Sequence, residues 1–215
     1  MQTEFVSIGF CCVTTSFLKA LGYANNGYPF DWLFTSLEMV KHCLETRFKY
    51  FLDKSYYQRD DAMRHLYYQN MINTDQIYRH HGEKVNPPIF RHHSLFDQET
   101  YQSFTNKCKR FLELYDNKIE NKKLCLVYTI NYYYEKEEYD LTDIKDLYKT
   151  IKESSPKTEL VIIKLIEDNI KRTFSLSFKE DNLYFYNVYY DKWNGLNQTQ
   201  ETLSTINECL KNHYL

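Results

Sequence analysis

Two stretches, LCLVYTI at 124–130 and ELVIIKLI at 159–166, constrain the fold more than anything else in the chain. Neither alternates apolar with polar residues. Continuous apolar runs of this length suit strands that are buried on both faces. Such strands need a layer on each side, and amphipathic helices are the usual source of one. Between the two runs, Leu141, Ile144, Leu147, Tyr148 and Ile151 recur at helical spacing. Ahead of the first run, so do Tyr101, Phe104, Cys108, Phe111, Leu112 and Tyr115.

The same alternation opens the chain. EFVSI at 4–8 reads as a short buried strand, and from Cys12 the period changes to that of a helix through Val13, Phe17, Ala20 and Leu21. Gly22 is a suitable C-terminal stop. Thr35 followed by Glu38 resembles a capping box for a helix carrying Val40, Cys43, Leu44 and Phe48. Residues 50–88 are tyrosine-rich with weak periodicity, which predicts short elements and loops, and NPPIFRHH at 86–93 reads as a strand entered after two prolines. RTFSLSF and LYFYNVYY flank KEDN, a hairpin pattern. A last helix carries Leu203, Ile206 and Leu210, with Asn197 and Gln200 as candidate caps. The expected fold is α/β: a mixed, largely parallel sheet flanked by helices, with a C-terminal antiparallel hairpin at one edge. No repeat or linker divides the 215 residues, so residues 1–215 are expected to form a single domain.

Several function classes are disfavoured. There are 5 glycines and no GxGxxG or GxxxxGK[ST] pattern, which removes the simple case for nucleotide binding. The formal charge is -2 with scattered lysines and arginines, so no nucleic-acid or anionic-membrane partner is expected. MQTEFVSIGF lacks a signal-peptide pattern, and no apolar stretch reaches the ~18 residues of a membrane span. A cytoplasmic protein with reduced thiols is expected. The six cysteines form no CxxC pair, and no metal or other cofactor is expected.

The chemistry-bearing residues cluster near the start. In SIGFCC, Gly9 permits a sharp turn after the strand, and Cys11 or Cys12 then falls at a helix N-terminus. The partial positive charge there favours a thiolate, and free amides can receive an oxyanion. A buried packing cysteine is the competing reading. Four of the seven histidines lie in RHHGEKVNPPIFRHH: His80, His81, His92 and His93. Adjacent strand residues point to opposite faces, so His92 and His93 cannot both enter one site if they lie in a regular strand. Either is a candidate base for a thiol, whereas His80 and His81 suit polar loops. In YPFDWLF at 28–34, Asp31 either caps the following turn or supports the site, by orienting a histidine or lining it.

SIGFCC with FLKALG, YPFDWLFTSLEMV and FRHH together resemble the family described as putative papain-like cysteine peptidases, a family of unknown function. The resemblance covers the first ~95 residues, and VYYDKWNG is similar to a weaker tryptophan-containing segment. It implies Cys12 as nucleophile, with Ser7 and Gly9 in register, His92 as base, and Asp31 on the family's aspartate. Cys11 stands where a polar residue is expected, so Cys11 and His93 stay as supporting candidates. Asp97, Asn131 and Asp191 are candidates for a third catalytic residue. A cysteine-dependent hydrolase acting on a peptide, amide or acyl substrate is therefore expected. An acyltransferase or esterase using the same Cys–His pair, and a non-catalytic interaction module, are the alternatives. The family name implies a papain-like α+β fold, whereas the strand pattern implies α/β.

Overall fold

The computed structural model describes residues 2–9, 12–24, 26–33, 35–60, 65–68, 95–131, 141–168, 170, 173–190 and 200–214. The elements are β1 (Gln2–Ser7), α1 (Cys12–Ala20), α2 (Leu37–Glu45), β2 (Tyr57–Asp60), β3 (His65–Tyr68) and α3 (Gln98–Tyr115). They continue with β4 (Lys122–Asn131), α4 (Leu141–Ser154), β5 (Glu159–Glu167), β6 (Phe174–Glu180), β7 (Leu183–Tyr190) and α5 (Gln200–Tyr214). Five strands form one sheet in the order β1-β4-β5-β7-β6, and β2 and β3 pair antiparallel as a separate ribbon.

The fold is α/β. The β1–β4, β4–β5 and β5–β7 pairs are all parallel, and only β6–β7 is antiparallel. The two apolar runs became the inner strands β4 and β5. Leu126, Val127, Tyr128, Leu160, Val161, Ile162 and Ile163 are all fully buried. Burying such side chains stabilises by about 1.5–3 kcal/mol each. The C-terminal antiparallel hairpin lies at one edge of the sheet, as expected. Its second strand, β7, pairs parallel to β5 inside the sheet, so only β6 is an antiparallel edge. Leu183, Val188 and Tyr190 are buried while β6 is mostly exposed, which is why the richer strand goes inside.

Helices cover both faces. Thr14 of α1 donates to Thr129 of β4 at 2.7 Å, and Tyr23, just after α1, donates to Asn207 of α5 at 2.8 Å. α1 and α5 therefore share one face. On the other, α2 packs against α4, and the Tyr115 hydroxyl of α3 donates to the Thr150 carbonyl of α4. α1 stops as expected: Gly22 has φ +75, and the amide of Tyr23 donates to the Leu18 carbonyl at 2.8 Å. The α2 cap shifts by one residue. Ser36, not Thr35, accepts from the Met39 amide, because the Thr35 hydroxyl is committed to the Ile8 carbonyl at 2.9 Å.

β1 is an edge strand, and the 26–31 segment runs beside it. Asn26 and the Tyr28 hydroxyl donate to Glu4 at 2.9 and 2.7 Å, and Lys122 pairs with its other oxygen at 2.9 Å. Burial alone would raise the Glu4 pKa, but these three donors outweigh it and hold it below the usual carboxylate value. Phe30 anchors the segment's far end among Phe48, Phe51 and Phe111. The segment thus shields an edge that would otherwise be open to pairing. Among the described residues, no helix is long and apolar enough to cross a membrane.

Candidate active site

In parallel α/β sheets, ligand sites form beyond the carboxyl ends of the strands. β1 ends at Ser7, the chain bends at Gly9, and Cys12 opens α1. Cys12 therefore stands at the carboxyl edge, in the first turn of a nine-residue helix whose early amides lack intrahelical acceptors. It is half-buried. Cys43, Cys108, Cys125 and Cys209 are fully buried. Burial pushes the Cys209 thiol up to about 12 and raises that of Cys108 strongly. Cys12 is thus the one described cysteine that combines solvent access with a helix N-terminus. Cys11 lies outside the described residues.

Two contacts shape the turn before Cys12. The Ile8 amide donates to the Val127 carbonyl at 3.0 Å, one pair beyond the end of β1. Gly9 lies at the expected bend, without a left-handed φ. Its requirement is space: a Cβ there would lie 1.7–2.4 Å from ring atoms of Tyr128. Tyr128 in turn donates its hydroxyl to the Thr35 carbonyl at 3.3 Å. A single glycine thus lets the β4 tyrosine wedge between the β1 exit and the start of α2.

Asp31 is 2% exposed. Its carboxylate accepts from the Tyr28 amide at 2.8 Å and from the Thr15 hydroxyl of α1 at 3.3 Å. It caps the turn it closes, not the following one, and ties that turn to α1 three residues after Cys12. Desolvation raises its pKa despite the Tyr28 amide, the nearby Lys107 and Lys19 charges and the Thr15 hydrogen bond, which all act to lower it. Trp32 follows with φ 66, a conformation bulky residues rarely adopt. Its ring lies under the Lys19 ammonium, 5.0 Å from the ring centroid.

His92 and His93 lie outside the described residues, so the structure places Cys12 and Asp31 but not the partner base. Asp191 also lies outside them. Of the remaining third-residue candidates, Asp97 is exposed and caps α3 by accepting from the Thr100 amide at 2.8 Å. Asn131 is the last residue of β4, with its backbone paired opposite Leu165 at the carboxyl end of the sheet. Among the described residues, no cluster of three or more His, Cys, Asp or Glu side chains could hold a metal ion. The sequence reading missed Lys107 and Thr15, which come from distant or unremarkable positions. Lys19 carried a usable signal, since it lies seven residues after Cys12 and so returns to the same helix face.

Residues 3–169 match the family model described as "Putative papain-like cysteine peptidase (DUF1796)". The chain belongs to this family. The match spans the β1–α1 junction, the Asp31 turn and the sheet through β5. No curated protein and no solved structure gives a significant match. In this member of the family the sheet is mixed and mostly parallel, and the first cysteine-bearing helix follows an edge strand.

Proposed function

We propose that the chain is a thiol hydrolase in which Cys12 is the nucleophile and His92 the base. The observation that carries this reading is the contrast among its cysteines: Cys12 alone of those described is accessible at a helix N-terminus, at the strand edge where α/β sites form. The description of its family points the same way. In the reaction, His92 takes the thiol proton and the sulfur forms a bond to a substrate carbonyl carbon. Amides of the first α1 turn receive the developing oxyanion. The carbon–heteroatom bond then breaks, His92 returns the proton to the leaving group, and water hydrolyses the thioester.

The parallel α/β architecture favours a second reading alongside peptide or amide hydrolysis. The same Cys–His pair would serve as an esterase or acyltransferase, and dependence on an acyl donor separates the two.

Alkylation of the native protein by iodoacetamide across pH, with mass spectrometry separating Cys11 from Cys12, tests the nucleophile. Cys12 should label fast with an apparent pKa well below the ~8.5 of an ordinary thiol, and His92→Ala should slow it or shift the profile. Slow labelling of Cys12, at model-thiol rates and unaffected by His92→Ala, would overturn the assignment and favour a packing role.

A further inference from the structure

On α1, Val13, Thr14, Thr15, Phe17 and Leu18 are buried, while Cys12 and Ser16 are half-buried and Lys19 is exposed. Positions 12, 16 and 19 form one stripe of the helix. Lys19 therefore lies on the accessible face of Cys12, about 10 Å further along the axis. Its ammonium is held over the Trp32 ring, which an uncommon backbone conformation presents to it.

Two more cations reach the same turn from α3. Lys107 packs so closely on Gly27 that a Cβ there would come within 3.1 Å of its Cε, and Arg110 donates to the Gly27 carbonyl at 2.9 Å. Among the described residues, neither Lys19 nor Lys107 has a carboxylate at salt-bridge distance. The nearest negative group acting on both is Asp31, already engaged by Tyr28 and Thr15. Lys107 is half-buried with its ammonium over the Phe104 ring, 4.5 Å from the centroid, and desolvation still works against its charge. A desolvated cation without an ion-pair partner is costly, and an incoming anion would relieve that cost. The local positive excess also departs from a chain whose formal charge is -2.

From this we infer that Lys19 and Lys107 form an anion-accepting subsite beside Cys12, and that the substrate carries a carboxylate or phosphoryl group about 10 Å from the bond attacked. The inference rests on Cys12 being the reacting thiol. The side chains that hold the subsite are Trp32 beneath Lys19 and Gly27 against Lys107.

The test compares Cys12 alkylation by iodoacetate, an anion, with alkylation by neutral iodoacetamide at low salt. A unit charge about 10 Å away through water shifts that rate ratio about twofold, so Lys19→Glu should lower it about fourfold. Lys107→Gln should lower it by less than Lys19→Glu does, because it removes one charge rather than reversing it. Each substitution also slows iodoacetamide to the extent that it destabilises the Cys12 thiolate, which the ratio cancels, and ~0.5 M salt should erase the effect on the ratio. Protection of Cys12 from iodoacetamide by glutarate would identify a carboxylate subsite, and protection by inorganic phosphate a phosphoryl subsite. A ratio unmoved by either substitution would overturn the subsite. A Cys12 that labels slowly with both reagents in the unsubstituted protein would instead remove the nucleophile reading itself.

Discussion

The β1–α1 corner and the β4–β5–β7 interior are built on opposite principles. The interior is an apolar ladder in register, with Leu126, Leu160 and Leu183 in one row and Tyr128, Ile162 and Phe185 in another. Its stability comes from many small equivalent contacts. The corner concentrates costly features in a short span: a buried carboxylate, a tryptophan at φ 66, a ring packed where a Cβ would go, and a half-buried lysine. Strain and buried polarity gather where function needs a particular geometry. The difference teaches that the corner is held by a few irreplaceable contacts, whereas the interior tolerates averaging.

The sharpest way to break the corner is Gly9→Ala. The added Cβ would sit inside the Tyr128 ring, so the ring or the β1 exit must move, at about 3 kcal/mol. Urea unfolding measures this directly. The double variant Gly9→Ala/Tyr128→Ala should be no less stable than Tyr128→Ala alone, because the collision partner is gone. Additive losses would show that Gly9 matters for another reason. Gly22→Ala serves as the contrast. It faces no atom within 4 Å and carries only the cost of φ +75, about 1 kcal/mol.

Asp31 comes next. Asp31→Ala removes the acceptor of the Tyr28 amide and the Thr15 hydroxyl and should cost about 2 kcal/mol. Its pH dependence sharpens the comparison further. Burial raises the folded-state pKa, so between the unfolded carboxylate value and that raised value the folded chain holds the extra proton. The contribution of Asp31 to stability is therefore full at low pH, falls as pH rises through this window, and stays reduced above it. Asp31→Asn cannot ionise. Its stability relative to the unsubstituted protein should rise from about pH 4 upward and then level off. A difference that is flat with pH would mean the carboxylate ionises as readily in the fold as in the unfolded chain.

The interior was legible in the sequence because its signal is local. The unbroken runs around Val127 and Ile162, the Phe104–Cys108–Phe111 stripe of α3 and the Gly22 stop each depend on neighbours within a few residues. The place of Cys12 at a helix start was legible for the same reason, as a change of period after a strand. The corner was not, because its partners are distant in the chain. Thr35 looked like a cap and instead bonds Ile8. Gly9 looked like a turn residue and does sit at a bend, but the room it clears for Tyr128 had no local signal. Asp31 meets Thr15 and the field of Lys107 only once α1 and α3 have packed. The C-terminal hairpin was legible, like the interior, because the tight KEDN turn fixes the β6–β7 pair locally.

The smallest expected effect concerns Ser7, at the end of β1. It is 2% exposed, and among the described residues its hydroxyl is the one buried side-chain oxygen without a hydrogen-bond partner. Alternation places it on the α1 face of the sheet. Phe5, two residues earlier, stacks against Tyr23, and Thr129, two residues beyond Ser7's partner Val127, bonds Thr14. The hydroxyl thus lies on the sheet face that α1 covers. A buried hydroxyl with no partner costs desolvation that an apolar group of the same shape would not. Ser7→Ala should therefore leave stability unchanged or raise it by up to about 1 kcal/mol, the reverse of the sign at Gly9 and Asp31. Urea unfolding reads the sign. A loss of 1 kcal/mol or more would mean that the hydroxyl is satisfied in solution, by a water held beneath α1, and that the corner's polar network extends one strand residue deeper than the described hydrogen bonds reach.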